Sequence, residues 1–297
     1  SGATIPFIAR YRKEATGSLD EVDIATIRDV NERLLLLENR REVIINSLKE
    51  QNVFTAELEK EITNALTISE LEDIYLPYKP KRKTRAGIAK EKGLEPLAKK
   101  IFQQTPENIV AFANKFVSKK KNIENIEVAL QGARDIIAEW INENKTVRNL
   151  IRNLFFKEGI ISSKVAKNKE TEGIKYKDYF SYEEAIKKIP SHRLLALLRG
   201  ENEGFLKVII APSETKAVDT IEKLFIKNSS QSAKEVKTAI QDAYKRLLAP
   251  SIENETRTFF KEKADEEAIR VFCENLRQLL LAPPLGKKNV LAIDPGF

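Results

Sequence analysis

Side chains able to do chemistry gather in a few places along this 297-residue chain. The densest is Tyr78-Lys79-Pro80-Lys81-Arg82-Lys83-Thr84-Arg85. Between Lys79 and Lys92 there are seven basic residues and one acid, Glu91, a local charge of +6. Lysines and arginines on an extended segment suit phosphate contacts, because each neutralised phosphate releases a counterion, and Tyr78 is placed to stack on a base. The alternative is a solvated loop whose cations pair with the acidic flank Glu70, Glu72 and Asp73. Arg10, Arg12 and Lys13 repeat the theme with Phe7 and Tyr11 interleaved. There the alternative is an amphipathic helix that packs its aromatics inward. The candidate nucleic-acid contacts are therefore Tyr78, Lys79, Lys81, Arg82, Lys83 and Arg85, with Arg10, Arg12 and Lys13.

A second constellation, Ser191-His192-Arg193 followed by Glu201 and Glu203, contains nucleophile, imidazole and carboxylate types. A triad needs these groups to meet in space, and adjacent Ser and His at a helix start point in different directions. Ser191 reads better as a helix N-cap and His192 as a structural residue. One histidine and one cysteine (Cys273) exclude a multi-histidine metal cluster, a thiolate zinc site and a disulfide framework. No GxxxxGK, GxGxxG or HExxH occurs. A non-catalytic chain without metal or cofactor is expected.

The elements that position these residues are mostly helices. Ser18-Leu19-Asp20-Glu21 and Ser69-Glu70-Leu71-Glu72 have the form of capping boxes. After the first, apolar residues at Ile27, Val30, Leu34, Leu37, Ile44 and Leu48 predict a long amphipathic helix with a coiled-coil-like seam. Leu58, Ile62 and Leu66 continue the period beyond a short loop, so the two helices should fold back as an antiparallel hairpin. Helical spacing recurs over 94–102, 109–117, 128–141 and 148–156, then over 191–199, 218–225, 233–249 and 252–281. Between them, Ile160 to Val165 and Phe205 to Ile210 predict a small β element. Pro283-Pro284 and Gly286 read as a linker, and Asn289 to Gly296 as an apolar strand ending in Asp294. The fold class is mainly α: a multi-helical scaffold with a small β element in its second half.

Composition narrows the classes further. Lys and Arg number 51 against 44 Asp and Glu, a formal +7, and 42% of residues are hydrophobic, so wholesale disorder is excluded. No apolar run approaches the ~18 residues that span a bilayer, and no secretory h-region is present. A cytoplasmic location away from membranes is expected. The chain starts at Ser1 and contains no methionine, which points to a segment of a longer protein.

Several of these stretches resemble one family. Thr4-Ile5-Pro6-Phe7-Ile8-Ala9-Arg10-Tyr11-Arg12-Lys13-Glu14-Ala15-Thr16-Gly17 is similar to the signature of the bacterial transcription accessory family Tex. So, in the same order, are Leu71 to Arg82, Gly93 to Ala98, Gly132 to Glu139, Asp178-Tyr179-Phe180, Ser191 to Gly204 and Asp265 to Phe272. The terminal Leu291-Ala292-Ile293-Asp294-Pro295-Gly296 resembles the first strand of the family's YqgF-type ribonuclease-H-like domain. In such nucleases that aspartate can bind a metal with carboxylates from other strands, and here Asp294 lacks those partners, so no metal site follows.

The resemblance implies a division into an N-terminal helical domain (1–127), a central helical region with the small β element (128–286) and the first strand of a YqgF-type domain (287–297). It also implies a helix-turn-helix-like element near the N-terminus. Family members bind nucleic acid, RNA or DNA, chiefly through a C-terminal OB-fold domain beyond this chain. The expected role is a non-catalytic scaffold with weak electrostatic nucleic-acid contacts of its own. The alternative is a platform that docks RNA polymerase or another transcription protein through the basic loop.

Overall fold

A computed structural model describes residues 2–80, 83–284 and 286–292. Its contacts group Ser1–Glu91 with Glu143–Lys145, and Lys92–Asn142 with Thr146–Phe297. The grouping puts 92–127 with the second unit, whereas the resemblance assigns that stretch to the N-terminal domain.

In the first unit, α1 (Ile5–Tyr11) and α2 (Lys13–Thr16) precede the 30-residue α3 (Glu21–Glu50). Asp20, and not Ser18, caps α3: its carboxylate accepts from the Val22 and Asp23 amides, both at 2.8 Å. Ser18 lies at φ 68° just after Gly17 at φ 64°, left-handed geometry that an N-cap, normally in the β region, does not adopt. After Gln51–Thr55 the chain returns in α4 (Ala56–Asn64). Arg41 of α3 closes this hairpin by donating to the Ile62 and Ala65 carbonyls at 3.1 and 3.0 Å. Arg41, which breaks the apolar period of α3, thus satisfies carbonyls that the end of α4 leaves open.

The core of this unit gathers Leu37, Ile44 and Leu48 of α3, Leu58 and Ile62 of α4, and Leu71, Ile74 and Tyr75 of α5 (Ile68–Tyr75). The remainder of the expected seam does not pack: Ile27, Val30 and Leu34 are exposed, because the nine-residue α4 is far shorter than α3. Leu66 falls outside α4 and is exposed as well. Thr67, not Ser69, caps α5 through the Glu70 amide, while Glu70 accepts from the Leu66 amide at 2.8 Å. The capping box therefore exists two residues earlier than its serine suggests, with threonine in the cap position. A short helix, α6 (Arg85–Glu91), ends the unit.

In the second unit, α7 (Glu95–Gln103), α8 (Ile109–Asn114), α9 (Ile126–Glu143) and α10 (Lys145–Glu158) lead to β1 (Ile160–Val165). A 3₁₀ segment (Ile174–Tyr179), β2 (Ser181–Ala185), α11 (Ser191–Asn202) and β3 (Leu206–Ala211) follow. The sheet is antiparallel in the order β2-β1-β3, with Ile161 opposite Ile210 and Ser163 opposite Val208. The two stretches expected to be β pair directly. β2, rich in Glu and Tyr, carries no alternating apolar signal of its own.

One sheet face buries Ile161, Leu206, Val208 and Ile210 against Leu194, Leu197 and Leu198 of α11. Gly200 permits that approach, since a Cβ there would stand 2.7 Å from Leu206 Cδ1 and 3.1 Å from Tyr176 Cδ1. The outer edge of β3 is covered by side chains. The Val208 amide donates to Glu201 at 3.1 Å and the Ile210 amide to Glu253 at 3.0 Å, while Arg257 donates to the Val208 carbonyl at 2.9 Å and to both carboxylates.

The remaining helices are α12 (Glu214–Phe225), α13 (Gln231–Asp242) and α14 (Ala249–Leu280). A π-helical segment, Ala243–Leu248, joins α13 to α14 without a break. Residues 289–292 lie in no regular element. The rest of the expected terminal strand, including Asp294, is outside the described residues.

Candidate nucleic-acid interface

The basic segment leaves the C-terminal end of α5. Its first cation, Lys79, reaches Glu72 at 3.8 Å, but the same carboxylate is held at 2.5 Å by Arg40. Of the other acidic neighbours, Glu70 is turned back to the start of α5 and Asp73 is 4% exposed within the unit. The acidic flank is thus largely committed elsewhere. Lys83 and Arg85 are exposed and make no ion pair among the described residues. Thr84 caps α6, its hydroxyl accepting from the Gly87 amide at 2.9 Å, which sets Arg85 as the first residue of that helix. Lys81 and Arg82 lie outside the described residues.

Tyr78 takes a different place from the stacking role expected of it. Its ring is half-buried against the core of the first unit, and its amide donates to the Tyr75 carbonyl at 2.9 Å. In the first unit the exposed aromatics among the described residues are Phe7 (44% exposed) and Tyr11 (73%), with ring centroids 5.1 Å apart. The inward-packing alternative for that segment is thereby overturned: the two rings face solvent, and Ala9 is the buried residue of α1. Beside these rings Arg10 pairs with Glu21 at 3.6 Å, both exposed. Arg12 separates α1 from α2, and Lys13 opens α2.

Ser191, His192 and Arg199 line a cleft of about 520 Å³ between α11 and α14 with Glu267, Val271 and Phe272. Ser191 is not a cap: Pro190 occupies that position, and Ser191 is the first helical residue, its hydroxyl donating to the Glu267 carboxylate. His192 is exposed and makes no hydrogen bond among the described residues. No serine–imidazole pair exists to activate a nucleophile. Among the described residues no group of three or more His, Cys, Asp and Glu is placed to hold a metal ion. No described helix is long and apolar enough to cross a membrane.

The first unit also carries an open apolar groove of about 410 Å³, lined by Val30, Leu34, Leu36, Leu37, Leu66 and Ile68. It occupies the half of α3 that α4 does not reach.

Ion pairs and burial account for the perturbed groups of the second unit. Burial opposes the charge of Arg134, yet its hydrogen bonds to Glu127 and Glu235 outweigh this and raise its pKa. The hydrogen bond to Glu203 raises Lys175 and lowers Glu203 in turn. Burial pushes the Tyr244 phenol up to about 12. These patterns belong to structural ion pairs as much as to sites.

Comparison with known proteins is consistent along the whole chain. A model of the Tex-like protein N-terminal domain matches residues 1–49, and a Tex central region-like model matches 103–272. The Bacillus subtilis protein YdcI is 46% identical over the entire chain, which covers 42% of that relative. The transcriptional accessory protein Tex of Neisseria gonorrhoeae is 39% identical, again over the entire chain and 40% of the relative. A human protein named S1 RNA-binding domain-containing protein 1 is 29% identical over 99% of the chain and 31% of its own length. The chain thus spans about two fifths or less of these relatives. With the central-region model alone taking in more than half of its residues, the chain belongs to the Tex family.

Proposed function

We propose that this chain is a non-catalytic helical scaffold of a cytoplasmic transcription accessory protein. It holds nucleic-acid-binding domains in place and adds weak phosphate contacts of its own, to RNA or DNA. The names of its relatives, one a transcriptional accessory protein and one an S1 RNA-binding protein, support this reading. The observation that carries it is the state of the basic segment: Lys83 and Arg85 are exposed without a carboxylate partner among the described residues. Unpaired cations favour an external anion, because binding one releases counterions at no cost in broken ion pairs. Lys79 extends the same surface, Lys81 and Arg82 are assigned to it from their place in the basic run, Arg10, Arg12 and Lys13 give a second one beside the exposed Phe7 and Tyr11, and Tyr78 acts as a wedge that fixes the start of the basic segment. The division into 1–127, 128–286 and 287–297 and the helix-turn-helix-like element belong to this reading.

The test replaces Lys81, Arg82, Lys83 and Arg85 with Glu and titrates single-stranded RNA and duplex DNA at two salt concentrations. The reading expects weaker binding and a shallower salt dependence. Unchanged affinity and slope remove the basic segment from the account.

A second reading, a docking platform for RNA polymerase or another transcription protein, is favoured by the apolar groove on α3. Phosphate binding has no use for such a surface, whereas protein interfaces have an apolar centre. Substituting Leu34 and Leu66 with Asp should abolish capture of purified polymerase and leave RNA binding intact; the charge-reversed variant above should weaken that capture as well, because in this reading the basic loop is itself a docking element.

A further inference from the structure

Four lysines of the second unit stand close in sequence, one at the end of α8 and three on a short turn beyond it. Lys115 follows α8, and Lys119, Lys120 and Lys121 form a single 3₁₀ turn. The turn is fixed at its base: the Ser118 and Ile123 amides each donate to the other's carbonyl at 3.0 Å, and Ile123 is 1% exposed. Asn122 closes it at φ 53°. Lys92, the last cation of the basic segment, donates to the Asn122 carbonyl at 3.1 Å. Lys121 folds back over Gly93, its Nζ 3.1 Å from where a Cβ on that glycine would stand. The fold therefore brings the end of one basic run against another that lies some thirty residues away in sequence.

These cations lack carboxylate partners among the described residues; Lys115 alone has an aromatic neighbour, its Nζ 5.5 Å from the Phe112 ring centroid. Lys115, Lys119, Lys120 and Lys121 are exposed, and none makes an ion pair among the described residues. Elsewhere in the unit lysines do find carboxylates, as Lys99 does with Glu95 at 2.8 Å and Lys100 with Glu107 at 2.5 Å. The run from Lys115 to Lys121 contains no acid, and the nearest in sequence is Glu124. Holding ammonium groups together on an anchored turn costs mutual repulsion, which an external anion relieves. The surroundings argue for phosphate over a protein surface or a lipid bilayer. Ile123 is buried, Phe116 and Val117 are half-buried, and so no apolar face accompanies the charge. A protein interface needs such a face, as does an amphipathic segment that enters a membrane.

We infer that the Lys115–Lys121 turn, with Lys92 beside it, is a second binding surface for the phosphate backbone of a nucleic acid. The inference rests on the reading of this chain as a nucleic-acid-binding scaffold but uses residues separate from the segment that carries that reading. Lys92 positions the turn through Asn122, and the other four lysines meet phosphates.

The test is fluorescence anisotropy with a labelled RNA strand and a labelled DNA duplex, each about 20 nucleotides or base pairs long, between about 50 and 200 mM salt. Lys115, Lys119, Lys120 and Lys121 are changed together to Gln, and in a parallel variant to Arg. All four side chains are exposed, so both variants should keep the parental melting curve. With each lysine on one phosphate, the Gln variant loses about 2.8 from the magnitude of the log–log salt slope on the single strand and about 3.6 on the duplex. The Arg variant keeps it. A Gln variant with parental slope and affinity overturns the inference; if the charge-reversed basic segment still weakens binding, the broader reading survives alone. A loss in the Gln variant with no effect at the basic segment supports this surface and removes that segment. Equal binding of an acidic polyglutamate peptide of matched charge, with the same dependence on the four lysines, also overturns the inference, since the surface then selects charge and not a phosphate backbone.

Discussion

Gln104 is expected to be the most sensitive polar side chain in the second unit. It is 2% exposed and closes α7 at φ 57°. Its Nε2 donates to the Phe225 carbonyl at 2.7 Å, and its Oε1 accepts from the Lys227 amide at 2.9 Å. Its main-chain carbonyl accepts from Asn228 Nδ2 at 2.8 Å. One amide side chain thus satisfies the backbone where α12 hands over to α13. Gln104→Ala leaves a carbonyl and an amide without partners, each costing about 1–3 kcal/mol when water cannot reach them. Some water entry puts the expected loss at about 3 kcal/mol, or roughly 6–12 °C in melting temperature for a unit of this size. Gln104→Gly loses the same bonds but relieves the left-handed backbone, so it should be about 1 kcal/mol less harmful than Ala. Trp140, the single tryptophan, stacks edge-on to Phe102 at 5.8 Å, and Phe102 meets Phe225 at 5.6 Å. Urea unfolding followed by its fluorescence therefore reports on this junction. An Ala variant within 0.5 kcal/mol of the parent would refute the reasoning, and so would an Ala variant more stable than Gly.

Two further outcomes are expected. Asp20→Ala should destabilise the first unit by about 1 kcal/mol while Ser18→Ala stays within a few tenths, read by hydrogen exchange at the Val22 and Asp23 amides; equal effects would return the cap to Ser18. Tyr244 should ionise near pH 12, against about 10 for the unfolded chain. Its folded-state pKa is the higher one, so the stability it contributes is complete below about pH 10 and is lost as pH rises towards 12. Ultraviolet titration of the phenolates should show a late step that Tyr244→Phe removes.

The helices were legible because their apolar periods mark a buried face, as at Leu97 and Ile101 or Ile137 and Ile141. The partner strands β1 and β3 were legible from β-branched runs flanked by Gly and Pro. β2 was not, because Tyr182 is the one large ring it lays against the core and its remaining residues are Ser, Glu and Ala. Caps were misplaced by one or two residues wherever Ser competed with a neighbouring Asp, Thr or Pro, since the choice rests on φ at one position. At the candidate interface, charge was visible as composition and its compensation was not. Sequence distance hid that Arg40, not Lys79, holds Glu72 most closely, that Tyr78 is a wedge, and that Lys92 meets the turn at Asn122.

The covered edge of β3 has a consequence for self-association. Strand addition from copy to copy needs two open edges per sheet, one to receive and one to donate. Glu201, Glu253 and Arg257 occupy one of them. Copies of this sheet therefore cannot pair strand to strand through β3, which removes one of the two edges that a growing array needs.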